Sequence, residues 1–421
     1  MASTSAHTEF PVPQGCIGDR IEHPEQLEVL RHHLASLCGL NQPRFPGSQP
    51  VSFDKDSLQL LQKEDFWVCE KSDGVRVLVL IGATEEGQQV FLVDRFNDFY
   101  RVYDVMFPHQ DGLQYNHSNT VLDGELVIDV DPETGAHKWR LLAFDLLVCD
   151  SINLMHKSLL SRYGRLKSWI IEPYEKLLKV RPELLQYAPF RVLLKRQELS
   201  YGIEAVFRDH LPSLRHGNDG LIFTSAESPY TAGTDPKILK WKPPSGNSID
   251  FLLQLKFPGK SDNESEPDYT LKPVFMLMMN HGKGEHHYFD TMEVDDGTWE
   301  KWKESEEQYD DRIVEVVWDP QRQTWKMLRF RDDKPEGNYK TTVTSIIKSI
   351  QHGVEADELI AAAPEIKKAW KARAAARSQG KPPQQQDYAA SSTQQAGSNA
   401  YGPAAASSSS SRPSVVSSLK R

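Results

Sequence analysis

The residues best suited to chemistry stand in Cys69-Glu70-Lys71-Ser72-Asp73-Gly74-Val75-Arg76, a lysine between an apolar approach and a turn. The approach, 66–69, and the exit, 75–81, are rich in β-branched and aromatic residues and read as buried strands. Lys71 and Asp73 are thereby left at a sheet end. A lysine in a partly dry place, near other cations, loses proton affinity and presents a free amine, the condition for acting as a nucleophile. Asp73-Gly74 allows a tight turn at which backbone and a bound group approach closely. The plainer reading is a hairpin with a surface lysine, and a tetrad this short does not decide between them.

The rest of the chain supplies partners. The apolar run 120–128 contains Asp123 and Glu125; Glu125 is costly there without a cationic, metal or hydroxyl partner, which favours a functional role over a structural salt bridge. Phe144-Asp145 interrupts the run 139–148 in the same way, and Asp219-Gly220 again leads straight into an apolar strand. Lys240 and Lys242 alternate around Trp241, which puts both on one face of a short strand. Paired lysines can simply protect a sheet edge; the apolar setting next to Asp219 favours phosphate binding. A strand at 190–194 ends in Lys195-Arg196, and Arg329-Phe330-Arg331-Asp332-Asp333-Lys334 gathers three cations at another strand end. A nucleophile, cations for phosphate oxygens and carboxylates for a divalent metal are the inventory of phosphoryl transfer. No G-x-x-x-x-G-K-[ST] loop occurs and no G-x-G-x-x-G follows a strand, so neither P-loop hydrolysis nor a dinucleotide fold has support.

These residues need elements to hold them. With 421 residues and 39% hydrophobic content the chain can bury two cores. Its net charge of −10 argues against coating nucleic acid by bulk charge, so cations must act locally. Cys16, Cys38, Cys69 and Cys149 lie far apart with no C-x-x-C pair or zinc-like His spacing, which points to a reduced compartment. The lack of a signal-like N-terminus or a long apolar run argues against secretion and membrane insertion. The expected fold is α+β: antiparallel sheets flanked by helices over 1–248, then four or five short strands over 249–343 forming a barrel of the oligonucleotide-binding (OB) type. The acidic stretch 293–311 reads as a solvated face or a protein-binding surface. A C-terminal helix at 344–377 packs back on the first domain in this reading, and 378–421, rich in Gln, Ser, Ala and Pro, is expected to be disordered.

In sequence and order, Lys71-Ser72-Asp73-Gly74-Val75-Arg76, Asp123-Gly124-Glu125, Phe144-Asp145, Asp219-Gly220-Leu221-Ile222, Lys240-Trp241-Lys242 and Arg329-Phe330-Arg331-Asp332-Asp333-Lys334 resemble the six motifs of the covalent nucleotidyltransferases. That superfamily includes GTP-dependent mRNA capping enzymes and polynucleotide ligases. The stretch Phe45-Pro46-Gly47-Ser48-Gln49-Pro50-Val51 resembles that of cellular capping enzymes, a loop that ligases lack, and the want of a triphosphatase signature resembles the fungal type, which splits the two activities between subunits; an ATP-dependent polynucleotide ligase is the alternative.

The resemblance implies that Lys71 attacks the α-phosphorus of GTP with Mg²⁺ or Mn²⁺ present, and that a 5′-diphosphate RNA end then takes the GMP. It implies Arg76 and Glu125 at the ribose, Phe144 stacked on guanine, Lys195 at guanine O6 and Asp219 as metal ligand. Lys240 and Lys242 fall at the α-phosphate, where their charge helps free the Lys71 amine. Arg329, Asp332 and Lys334 fall at the β- and γ-phosphates, once the barrel closes over the nucleotide. It further implies nuclear action, a separate RNA 5′-triphosphatase (beta) subunit, since about 45 residues precede the Pro46-Gly47 loop, and docking on the phosphorylated C-terminal domain of RNA polymerase II.

Overall fold

The computed structural model describes residues 10–85, 87–261, 265–305 and 307–378. They divide into two compact units: the described part of Met1–Pro243 with Val354–Trp370, and Pro244–Gly353 with the described part of Lys371–Arg421. Apart from Ser378, the tail expected to be disordered lies outside the described residues.

The main strands of the first unit are β1 (Ser48–Ser52), β2 (Phe66–Ser72), β3 (Val75–Thr84), β4 (Gly87–Val93), β5 (Phe99–Val102), β6 (Thr120–Val130), β7 (His137–Cys149), β8 (Arg191–Leu194), β9 (Asn218–Ser225) and β10 (Gly233–Trp241). One sheet runs Asp19–Arg20, β5, β4, β3, β6, β7, Ile152–Asn153, with β8 added to β7. The other runs Glu198–Leu199, β2, β9, β10, β1. Pairing is antiparallel except for β8 on β7 and β1 on β10. The first sheet is covered on both faces, which is why β3 reads as an unbroken apolar run. Val77, Val79 and Ile81 meet Leu166, Ile170 and Tyr174 of the helical stretch 159–180, while Leu78 and Leu80 face a cluster holding Leu34 of helix Pro24–Leu37 and Cys38, which caps it. In the second sheet Phe66, Val68, Leu221, Phe223, Leu239 and Trp241 pack with Val354, Leu359 and Ile366.

The hairpin reading of the lysine stretch fails in an informative way. β2 and β3 belong to different sheets, so Asp73-Gly74 is a crossing between sheets and not a turn within one. Glycine is required there by proximity: a Cβ on residue 74 would sit 2.2 Å from the Leu126 carbonyl oxygen on β6. Gly74→Ala is therefore expected to destabilise the protein by about 1–3 kcal/mol through overpacking against backbone. A lowered urea midpoint checks this; an unchanged midpoint would mean that the crossing shifts freely.

The second unit is a closed five-stranded barrel of β11 (Ser248–Lys256), β12 (Val274–Gly282), β13 (Glu285–Glu293), β14 (Ile313–Asp319) and β15 (Thr324–Phe330), ordered β11-β12-β13-β15-β14. The acidic stretch contains a helix, Asp296–Glu304, N-capped by Asp295, which accepts from the Thr298 amide at 2.9 Å. Its Trp299 is buried in the barrel core, so this segment is not solvated throughout. Helix Lys340–His352 adds Val343 and Ile347 to the same core, whereas helix Ala356–Ser378 gives Leu359 and Ile366 to the first unit.

Candidate active site

Lys71 projects from β2 and its Nζ donates to Asp219 Oδ1 at 2.6 Å, with its side chain about a quarter exposed. The pairing of β9 with β2 explains the aim: Asn218 faces Ser72 and Leu221 faces Glu70, so Asp219 and Gly220 together oppose Lys71. Such a bulge re-aims a side chain. Gly220 permits it, with φ of +151° and a Cβ position only 2.0 Å from the Trp241 carbonyl oxygen. Lys242 pairs with Asp219 Oδ2, so one carboxylate holds two lysines. Burial would raise the Asp219 carboxyl, but hydrogen bonds from Lys242 and Lys71 outweigh it and hold it below the usual range. Lys240 lies one register step away, opposite Ile222, with its side chain exposed.

A cavity of about 220 Å³ opens beside this pair, lined from one sheet by Cys69, Lys71, Ile222, Thr224 and Ile238 and from the other by Arg76, Asp123, Glu125 and Phe144. A second bulge serves Phe144: Ala143 pairs with Gly124 and Asp145 with Asp123, which leaves Phe144 as the extra residue, turned to the cavity. The guanidinium of Arg76 and the ammonium of Lys195 stand 5.7 and 5.9 Å from its ring centre. Arg76 is held by a bidentate pair to Asp123 at 3.0 and 2.6 Å and by the Ser48 carbonyl. Tyr230 donates to the same Asp123 at 2.5 Å. The Pro-Gly loop thus enters the sheet as β1 and forms one side of the cavity through Ser48 and Pro50.

Lys195 is fully buried. It donates to Ser72 Oγ at 2.8 Å and lies 3.6 Å from Glu70 and 3.7 Å from Glu125. Glu70 also bonds His210 at 2.9 Å, and His216 bridges toward Asp129 at 2.9 Å. Burial would push the Glu70 carboxyl up, yet Lys195, His210 and His216 hold it well below its ordinary value. Glu125 goes the other way: its burial outweighs Lys195, Lys71 and Arg76, and its carboxyl is raised.

The mRNA capping enzyme catalytic domain matches residues 16–244, and the mRNA capping enzyme C-terminal domain matches residues 246–360. This chain belongs to the mRNA capping enzyme family. Similar curated proteins are the mRNA-capping enzyme subunit alpha of Neurospora crassa, 41% identical over 85% of this chain and 94% of its own, and that of Schizosaccharomyces pombe, 41% identical over 82% and 86%. The subunit alpha of Saccharomyces cerevisiae is 34% identical over 82% and 85%. Among solved structures, the ATP-dependent DNA ligase from bacteriophage T7 in complex with ATP is 14% identical, covering 68% of this chain and 98% of its own with a TM-score of 0.34.

Within the capping enzyme's first unit, the structure gathers Lys71, Arg76, Glu125, Phe144 and Lys195 at one cavity, with Asp219 and Lys242 at its lysine. Arg329, Asp332 and Lys334 belong to the barrel unit, where Arg329 pairs with Glu315 at 2.8 Å, Asp332 with Arg312 at 2.9 Å and Lys334 with Asp250. Sequence reasoning missed Glu70, Asp123, Tyr230 and Ser48 as supporting residues. Asp123 carried a signal, a carboxylate inside an apolar strand; Glu70, next to Lys71, carried the same one. A larger cavity of about 360 Å³ in the barrel unit is lined by Glu293, Asp295, Arg322 and Lys326. Two of its cations are already matched, Lys326 with Asp319 and Arg322 with Glu293.

Proposed function

We propose that this capping-enzyme chain is the mRNA guanylyltransferase, working through a covalent Lys71–GMP intermediate, in a module of residues 1–248 with an OB-type module, 249–343, supplying phosphate contacts. The observation that carries the reading is the lysine at the cavity mouth, 2.6 Å from a carboxylate that a bulge aims at it. In the first step a P–N bond forms between Lys71 and the α-phosphorus as the bond to pyrophosphate breaks, and the amine gives up a proton. In the second step an oxygen of the 5′-diphosphate RNA end attacks, the P–N bond breaks and Lys71 regains a proton.

The flat ring of Phe144 suits guanine, and stacking of that kind is worth about 1–3 kcal/mol per base. Arg76, held rigid by Asp123, and Glu125 are assigned to the ribose, Lys195 to guanine O6, and Lys240 and Lys242 to the α-phosphate. Arg329, Asp332 and Lys334 are assigned to the β- and γ-phosphates. Asp219 suits a divalent cation, since a carboxylate held below its usual range stays ionised, and Mg²⁺ is commonly bound by one carboxylate plus substrate phosphates. Bound there, Mg²⁺ or Mn²⁺ would neutralise charge on the phosphate oxygens. The relatives' designation as subunit alpha supports action within a multi-subunit complex. A separate RNA 5′-triphosphatase, the phosphorylated tail of RNA polymerase II and a nuclear site of action complete the proposal. Among the described residues no helix is long and apolar enough to cross a membrane.

Incubation with α-labelled GTP or ATP and a divalent metal, followed by denaturing electrophoresis, tests the assignment. Label from GTP is expected to exceed label from ATP by about ten-thousandfold or more, the discrimination expected of a site built to hydrogen-bond its substrate. Label from ATP alone would make the chain a polynucleotide ligase.

A further inference from the structure

We propose that His109, His117, Cys149 and Asp150 form a zinc-class metal site away from the nucleotide cavity, fastening the hairpin Pro108–His109/Gly112–Asn116 to the ends of β6 and β7. None of the four lines that cavity.

His117 is fully buried, and its Nε2 lies 3.0 Å from the Trp169 carbonyl, which only accepts. The proton on that nitrogen is thereby fixed, which leaves Nδ1 as the ring atom that meets Asp150 Oδ2, 2.8 Å away, bridged by a proton when no metal is bound and free to ligate one beside that oxygen. Cys149 Sγ lies 3.4 Å from the same oxygen and 3.9 Å from His117 Nδ1, and His109 Nε2 lies 3.5 Å from that oxygen. Zn–N and Zn–S bonds of about 2.0–2.1 and 2.3 Å in a tetrahedron place neighbouring donors roughly 3.3–3.7 Å apart; the Cys149 and His109 distances to Asp150 fall in that range, and binding would have to open the His117–Asp150 pair and draw Cys149 slightly toward His117.

The surrounding contacts orient the donors as outer partners of a metal do. Asp150 Oδ1 accepts from the Ser118 amide at 3.1 Å, and the Asp150 amide donates to Thr120 Oγ1 at 2.9 Å. His109 Nδ1 accepts from the Asp111 amide at 3.2 Å, with Asp111 Oδ2 3.4 Å away. When Nε2 takes the metal, the ring proton moves to Nδ1 and donates to that carboxylate instead. Burial pushes the Cys149 thiol well up, and binding reverses this by releasing its proton to solvent. His109 and Asp150 are part-exposed and give the ion an entry path.

The test is a Co²⁺ titration of the full chain without nucleotide, followed by Zn²⁺ competition. Tetrahedral cobalt bands with a thiolate charge-transfer band are expected, the latter lost in Cys149→Ser. His109→Ala, at a half-buried hairpin position that leaves the core intact, is expected to weaken Zn²⁺ at least about tenfold and to remove the rise in Tm that Zn²⁺ gives the unaltered chain. No tetrahedral spectrum, a spectrum without the thiolate band, or zinc affinity unchanged in His109→Ala would each overturn the site.

Discussion

Replacing Lys71 by alanine is expected to remove the covalent GMP adduct altogether, a loss of at least about a thousandfold, because no second group can take over a nucleophile's bond. Lys71→Arg is expected to do the same. A guanidinium keeps its proton at any working pH and has no lone pair to offer phosphorus. Neither change should unfold the protein: the side chain is about a quarter exposed, and Asp219 retains Lys242 as a partner. Thermal melts of both variants should therefore stay close to the parent's, which separates lost chemistry from lost structure. An adduct surviving in either variant would move the role to another amine, with Lys242, on the same carboxylate, the first to examine.

Lys195→Met should act on both stability and activity. The substitution takes the lysine charge from Glu70, which is almost wholly buried and keeps His210 and His216, and leaves Glu125 with one cation fewer. Removing one partner of a buried ion pair costs about 3–5 kcal/mol because the remaining charge is uncompensated. The pH dependence follows from Glu70, whose carboxyl the native fold holds well below its ordinary value. A depressed carboxyl contributes stability that is present above its unfolded value, near 4.3, and is lost as pH falls through the folded value. In Lys195→Met the part of that contribution supplied by the lysine disappears, the part from His210 and His216 stays, and Glu70 protonates at higher pH than in the parent. The gap in stability between parent and variant should therefore be widest near neutrality and narrow as the pH drops. His216, raised by Asp129 and Glu70 against its burial, adds the opposite limb: its contribution is present below about 6.5 and is lost as pH rises through its folded value. A double variant, Glu70→Gln with Lys195→Met, should regain part of the stability and none of the adduct formation if Lys195 meets the nucleotide. Full recovery of activity in the double variant would reduce Lys195 to a structural ion.

Local signals located the strands and the acidic residues set into them, because β-branched runs and carboxylates in apolar company are visible within a few residues. They did not show which sheet each strand joins. A hairpin and a crossing between sheets look alike at Asp73-Gly74, since both ask for glycine, one for turn conformation and the other for clearance from Leu126. The Glu70–Lys195 pair was equally hidden, its partners being joined only by tertiary folding. The bulges that aim Asp219 and Phe144 depend on register, which a single strand's sequence does not state. In the barrel, β13 has no clean alternation to announce it: Glu285-His286-His287-Tyr288 is polar and half-exposed. The helix Asp296–Glu304 was concealed by the acidic stretch around it, though Trp299 and Trp302 within it were the available hint.

Because residues 73 and 74 alone join β2 to β3, Lys71 and the arginine five positions later line opposite walls of one cavity across a two-residue span. A link that short has almost no slack. The same end is tied a second time, since Tyr230 bonds both Arg76, at 3.3 Å, and the Asp123 that holds it, at 2.5 Å. Under the proposed chemistry, the gap that the reacting phosphorus has to fit is therefore gauged by covalent bonds and not by the packing of the two sheets alone.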